Sequence, residues 1–308
     1  TLDGTLFPYT TLFRSTIKFL FIMKSKILLF ATLLSITFFI GCNNESVNVA
    51  ATSNTITADE TVVNAEIDAT VDDLSIIAED QFDMQKSSAA KTSAGMKSML
   101  PPCAIVTAVL TNDTWTRTID FGTQGCALPN GNIVKGKIII SFSKNFTTPI
   151  RTITYKLEGF YHNDKLIEGS KTITHELKNS DLLADIHPVT THSIDVKVTF
   201  PDGKIYTRIG TRVREMVEGF ATMTNWEDNV FNVWGYHITT FPNGSKYTCT
   251  IKTPLLIKMS CKMPFPVSGV VEIVKNDAKA TLDCGNGDCD KLATITLNGV
   301  SKEIVLRK

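Results

Sequence analysis

The sequence predicts an all-β fold: a curved antiparallel β meander, as an open sheet, a sandwich or a partial barrel, preceded by one N-terminal amphipathic helix. Three observations point there. From Cys103 onward, β-branched and aromatic runs are interrupted by Asn112-Asp113, Asn130-Gly131, Asn163-Asp164, Asp202-Gly203, Asn243-Gly244 and Asn286-Gly287, and these residues accept the positive φ that tight hairpins need. Gly136, Gly169, Gly210, Gly235 and Gly269 sit inside strand-like runs, where glycine weakens packing and marks a bulge or bend. Upstream, Val63, Ile67, Val71, Leu74, Ala78 and Phe82 recur every three or four positions, the period of a helix with one apolar face. A meander bent this often can close into a barrel, half-wrap a helix or fold into a sandwich, and the pattern fits each.

The chain has 308 residues, 43% of them hydrophobic, with 31 basic and 31 acidic side chains. That is a globular composition with no net charge, which excludes a strongly basic nucleic-acid binder, and no nucleic-acid partner is expected. Residues Thr5–Ser15 (TLFPYTTLFRS) match a one-frame translation of a common sequencing adapter, so 1–22 are read as an assembly scar and Met23 as the start. Lys24 and Lys26 then precede an apolar run, Ile27–Ile40, which is short of the roughly 20 residues a bilayer span needs. It reads as a signal h-region, with 23–41 as the signal peptide. The run ends in Phe39-Ile40-Gly41-Cys42, which resembles a bacterial lipobox, although Phe39 stands in place of the usual leucine. The resemblance makes Cys42 the lipidated first mature residue and the membrane a partner through that anchor. Asn43 is not the aspartate that signals inner-membrane retention, so an outer-membrane or cell-surface location is implied.

Residues 42–100 read as an acidic tether holding a helix at about 58–84. Residues 43–85 carry ten acidic and no basic side chains, whereas 86–308 carry 27 basic and 20 acidic ones. The helix either stays solvated or folds back on the basic body. A Ser/Ala/Gly/Pro-rich linker follows, and the all-β domain occupies 101–308. Within it, Phe200–Thr207 and Phe241–Thr248 share F-P-x-G-x-x-Y-T. Pairing Phe200 with Ile205 sets Val198 opposite Thr207 and Val196 opposite Ile209 on an apolar face. The other face then carries Asp195, Lys197, Tyr206, Arg208, Arg212 and Arg214. The same pairing in the second hairpin moves its tyrosine to the opposite face. Lys197 beside Arg208 would put like charges together, so the arginine row needs a counter-charge from the acidic helix, from solvent and other strands, or from an external anion such as a lipopolysaccharide phosphate or sulfated glycan.

Six cysteines remain after Cys42, an even count that favours disulfides in an exported chain. Cys103 opens a hairpin whose second strand leads to Cys126, so these two are expected to pair; Cys261 with Cys289 and Cys249 with Cys284 complete the set. Neither C-x-x-C nor a zinc spacing occurs, no metal or cofactor is expected, and the Asp283–Asp290 turn lacks calcium-loop spacing. His187 and His192 lack an acidic neighbour at helical spacing, and hydrolase and nucleotide-binding motifs are absent from the sequence. No catalytic residue is assigned and the chain is read as a non-enzyme. Trp226-Glu227-Asp228-Asn229, with Trp234 and Tyr236, resembles aromatic-plus-polar surfaces that stack on sugars, though alternating aromatics at Trp234 and Tyr236 more often belong to a sheet core. Trp226, Trp234, Arg208, Arg212 and Arg214 are therefore the candidate ligand contacts, for a glycan or an anionic envelope component.

Asp120–Cys126 (DFGTQGC) with Asn130–Ile140 (NGNIVKGKIII), and Leu282–Asp290 (LDCGNGDCD) near the end, resemble an uncharacterised family of secreted lipoproteins of Bacteroidota-type bacteria over about 103–300. The shared motifs are turns and cysteines, and the resemblance implies no activity. The chain is thus expected to be a lipid-anchored cell-envelope protein with a structural or ligand-binding role, or a glycan-binding component of a surface uptake system.

Overall fold

A computed structural model describes residues 56–90, 98–222, 226–261 and 266–305; the adapter-like segment, the signal run and Cys42 lie outside them. Helix α1 (Ala58–Ala89) is followed by β1 (Ile105–Thr111), β2 (Thr114–Asp120), β3 (Cys126–Ala127), β4 (Ile133–Ser143), β5 (Ile150–His162), β6 (Lys165–Lys178) and β7 (His187–Thr199). Then come β8 (Ile205–Glu218), β9 (Val230–Thr240), β10 (Lys246–Lys258), β11 (Ser268–Lys275), β12 (Ala278–Asn286), β13 (Leu292–Leu297) and β14 (Val300–Val305). The strands make one antiparallel sheet in chain order from β1 to β14, with the short β3 beside β4. The sheet is open, with β1 and β14 as its two edges.

The sheet wraps α1. Thr57 and Glu60 cap the helix reciprocally, the Glu60 amide donating to Thr57 Oγ1 and the Thr57 amide to Glu60, which satisfies two otherwise orphaned donors. Ile67, Leu74 and Ala78 are wholly buried, as are Ile138, Ile140, Ile153 and Ile173 on the strands facing them. Val71 and Phe82 join the same core, with Phe82 edge-on to Phe142 at 5.0 Å. The acidic segment does not stay solvated along the helix: it fills the concave side of the sheet. The helix also runs past the expected end at 84 to Ala89, where Gln85 accepts from Arg117 at 2.6 Å.

All five strand glycines sit where neighbouring backbones come too close for a Cβ. A Cβ on Gly235 would lie 2.1 Å from Thr211 O, and one on Gly136 2.0 Å from Gly159 O. Close approaches of this kind sharpen the twist and bend the sheet around the helix.

The hairpin register differs from the expected one by a single residue. Phe200 N donates to Lys204 O and Gly203 N to Phe200 O, so the first full pair is Thr199 with Ile205. Val198 then faces Tyr206, Val196 faces Arg208, and Lys197 faces Thr207, not Arg208; Lys197 pairs with Glu168. The one-residue shift turns the arginines onto the core side. The second F-P-x-G hairpin closes identically, through Phe241 N to Ser245 O and Gly244 N to Phe241 O. Tyr206 and Tyr247 are both buried, flanking Phe241 at 5.4 and 6.3 Å, so the repeat preserves facing as well as turn.

Cys103–Cys126 and Cys261–Cys289 are disulfides. The first, across 23 residues, contributes about 3 kcal/mol by closing its loop. Cys249 and Cys284 are instead free, buried thiols, and burial pushes both up to about 12. The reason is register. Cys249 is opposite Ile273, which is opposite Ala280, so Cys284 lies two strands over and four residues along. That is roughly 10 Å across and 13 Å along the sheet, well beyond disulfide reach.

Candidate functional site

The densest concentration of chemistry is the seam between α1 and the inner face of β5–β11. The apolar stripe of α1 is flanked by a polar one, Asn64, Asp68, Asp72, Ser75 and Glu79, and β8 presents Arg208, Arg212 and Arg214 on alternate positions opposite it. From Asp68 to Glu79 the helix rises about 16 Å, and from Arg208 to Arg214 the strand runs about 20 Å, so the two rows remain in step from end to end. Arg208, 1% exposed, is clasped by Asp68, by Asn64 Oδ1 at 2.7 Å and by Thr239 Oγ1 at 3.0 Å. Arg212 reaches Asp72 at 3.0 Å and Arg214 reaches Glu79 at 3.5 Å. Lys165 pairs with Glu66 at 3.1 Å and Lys275 with Glu60 at 2.6 Å, extending the ion pairs to the helix N-terminus. Of the three counter-charges considered for the arginine row, the acidic helix supplies it.

Lys171 is buried and donates to Ser75 Oγ and, at 3.4 Å, to Val71 O. Burial pulls its amine down to about 7, the charge of Arg212 lowering it further against the pull of Asp72. Burial pushes Asp72 up to about 7 against the pull of Arg212, and it holds His192 well below the usual imidazole range. Further along, Asp73 accepts from Asn130 at 2.7 Å, Asn132 at 2.6 Å and His162 Nε2 at 2.8 Å, while His162 Nδ1 meets Thr70 Oγ1 at 3.1 Å. His187 does have a carboxylate partner, Glu215, brought in by β8 rather than by a neighbouring position in sequence.

A buried amine against a serine hydroxyl, and a Thr-His-Asp chain, are the types of groups that activate nucleophiles. The cavity beside Lys171, lined by Val71, Asp72, Ser75, Arg212 and Phe231 among others, is about 50 Å³, room for a few waters and not for a sugar or peptide. Thr70 and His162 are at most 1% exposed. Lys171 with Ser75, and His162 with Thr70 and Asp73, tie strands β5 and β6 to the helix. Among the described residues no cluster of three or more His, Cys, Asp and Glu side chains could hold a metal, and no helix is long and apolar enough to cross a membrane.

The other candidate contacts separate from the arginines. Trp226 opens a 3₁₀ turn, Trp226–Asp228, with its side chain outside the described residues. Trp234 lies on the outer face of β9 opposite Val213, half-buried, and Tyr236 beside it is 47% exposed, so neither belongs to the sheet core. Tyr236 also stands in an outer cross-strand row: Thr116, Ser141, Thr154, Thr172, Ser193, Thr211, Tyr236 and Thr250 are successive partners from β2 to β10. Every member carries a hydroxyl and none a charge. No protein-family model, curated protein or solved structure matches the chain.

Proposed function

We propose that the chain is a lipid-anchored protein of the bacterial cell envelope, at the outer membrane or cell surface, with a non-enzymatic structural or ligand-binding role. The observation that carries this reading is the pair of disulfides, Cys103–Cys126 and Cys261–Cys289, because such bonds persist in oxidising compartments. They follow a segment in which Gly41-Cys42 ends an apolar run. A polar interior spent on fixing one helix suits a rigid body better than a reaction chamber. Expressed from Met23 in a diderm bacterium, the protein should sediment with membranes, and Cys42→Ser should appear in the soluble periplasmic fraction. Equal sedimentation of the two would overturn the anchor.

The outer face favours a second reading, a glycan-binding component of a surface uptake system. Trp234 and Tyr236 project from alternate positions beside an uncharged hydroxyl row, offering ring faces to stack on and hydroxyls to bond to a neutral saccharide. Replacing both with alanine should weaken retardation in gels containing neutral polysaccharide by tenfold or more while leaving the unfolding midpoint near wild type, since both side chains point away from the core. Unchanged retardation would remove this reading.

A further inference from the structure

We propose that β1 is an interface through which two copies of this chain pair edge to edge. Its two-residue loop has Asn112 and Asp113 at φ 46° and 67° between the paired residues Thr111 and Thr114. In a hairpin of that type the flanking residues exchange both backbone hydrogen bonds, and the pattern alternates along the strand. Thr111, Val109, Thr107 and Ile105 therefore spend their N–H and C=O groups on β2. Val106, Ala108 and Leu110 turn theirs outward at the edge of the sheet.

Protein edges normally carry a lysine, a proline or a bulge that discourages such pairing. The opposite edge, β14, has Lys302 and Glu303. β1 reads IVTAVLT, without charge or proline, and keeps an unbroken register of seven pairs with β2. Ile105, Val109 and Leu110 are 68, 59 and 46% exposed.

A second copy fits this edge because β1 is complementary to itself. An antiparallel twofold through Ala108 sets Val106 opposite Leu110, Thr107 opposite Val109 and Ile105 opposite Thr111. The outward residues Val106, Ala108 and Leu110 then meet the partner's Leu110, Ala108 and Val106, so every outward N–H and C=O finds a counterpart. No like charges meet. On the inner side, Val106, Ala108 and Leu110 continue the surface made by their β2 partners Ile119, Arg117 and Trp115, and the two concave sheets become one.

The geometry sets a direct test in the full chain, in its native membrane. Residues that exchange two backbone hydrogen bonds have Cα atoms about 5.5 Å apart, within disulfide range, so Ala108→Cys should give a dimer band on non-reducing gels that reduction removes. Val300→Cys, at the other edge, should remain a monomer. Ala108→Pro removes an N–H that faces away from β2 at the sheet edge; in detergent-extracted protein it should halve the mass measured by light scattering and leave the circular dichroism spectrum unchanged. If that variant misfolds, Leu110→Lys, which places a charge at the edge, serves the same purpose. Absence of the Ala108→Cys dimer, a monomeric wild type at all concentrations, or cross-linking through Val300→Cys instead would overturn the proposal, as would a partner other than a second copy in the cross-linked band.

Discussion

Replacing Arg208 with methionine should destabilise the protein by about 3–5 kcal/mol, because one half of a buried pair is removed and the other is left behind. Asp68 is 6% exposed and has Arg208 as its ion-pair partner, and Asn64 Oδ1 accepts from both Arg208 and Thr239. With the guanidinium gone, the carboxylate is left buried without its ion-pair partner. Removing both partners should be far milder. A double variant, Arg208→Met with Asp68→Leu, fills similar volume without an orphan charge and should recover most of the loss, since isosteric apolar replacement of a buried ion pair is often neutral or stabilising. Urea unfolding of the four members of this double-mutant cycle gives the coupling directly. An Arg208→Met variant within about 1 kcal/mol of wild type would mean that the seam is open to water and the pair is worth no more than a surface one.

That pair also shows where sequence reading reaches its limit. The stripe Ile67, Val71, Leu74, Ala78 and Phe82 was legible because a helix repeats its buried face every three or four residues, and the meander was legible because several of its tight turns, at 112–113, 163–164, 202–203 and 243–244, announce themselves in two residues. The arginines could be seen to share one face of a strand. Which face was not decidable locally: the F-P-x-G turn is one residue tighter than simple pairing assumes, with Phe200 meeting Lys204 rather than Ile205, and a slip of one residue exchanges core for solvent. Their counter-charges lie some 140 positions upstream, beyond the range of any periodicity. Lys171 did leave a usable signal, since it shares parity with Ile167 and Ile173, which are buried on the same strand. The Cys249–Cys284 pairing failed for a similar reason: parity of count says nothing about distance, and distance depends on a three-strand register. The facing of Trp234 and Tyr236 is a matter of register as well, and the pairing of β9 with β8, unbroken at these positions, fixes it, opposite Val213 and Thr211.

Among the glycines, Gly136 and Gly269 fall at register shifts whereas Gly210 lies in unbroken pairing, and Gly136 supports a sharper expectation. Gly136 and Gly159 face each other across the bulge between β4 and β5, where the register shifts after Lys135. Both have positive φ, 81° and 51°. Gly136 is also pinned by its backbone, its N–H donating to Gly122 O and its C=O accepting from Phe121, each at 2.9 Å. A Cβ there would fall 2.0 Å from Gly159 O and 2.5 Å from Gly159 C, whereas a Cβ on Gly159 has nothing within 4 Å. Gly159→Ala should therefore cost only the left-handed backbone penalty, about 1–2 kcal/mol. Gly136→Ala adds a clash with main chain that cannot rotate away, typically about 1–3 kcal/mol, for a total of about 2–5 kcal/mol. Because the strain must separate β4 from β5, the loss should be accompanied by faster amide exchange at Lys135, Lys137 and Glu158. Equal destabilisation by the two alanine substitutions would show that backbone conformation alone, and not the close approach of the strands, makes glycine necessary at this bend.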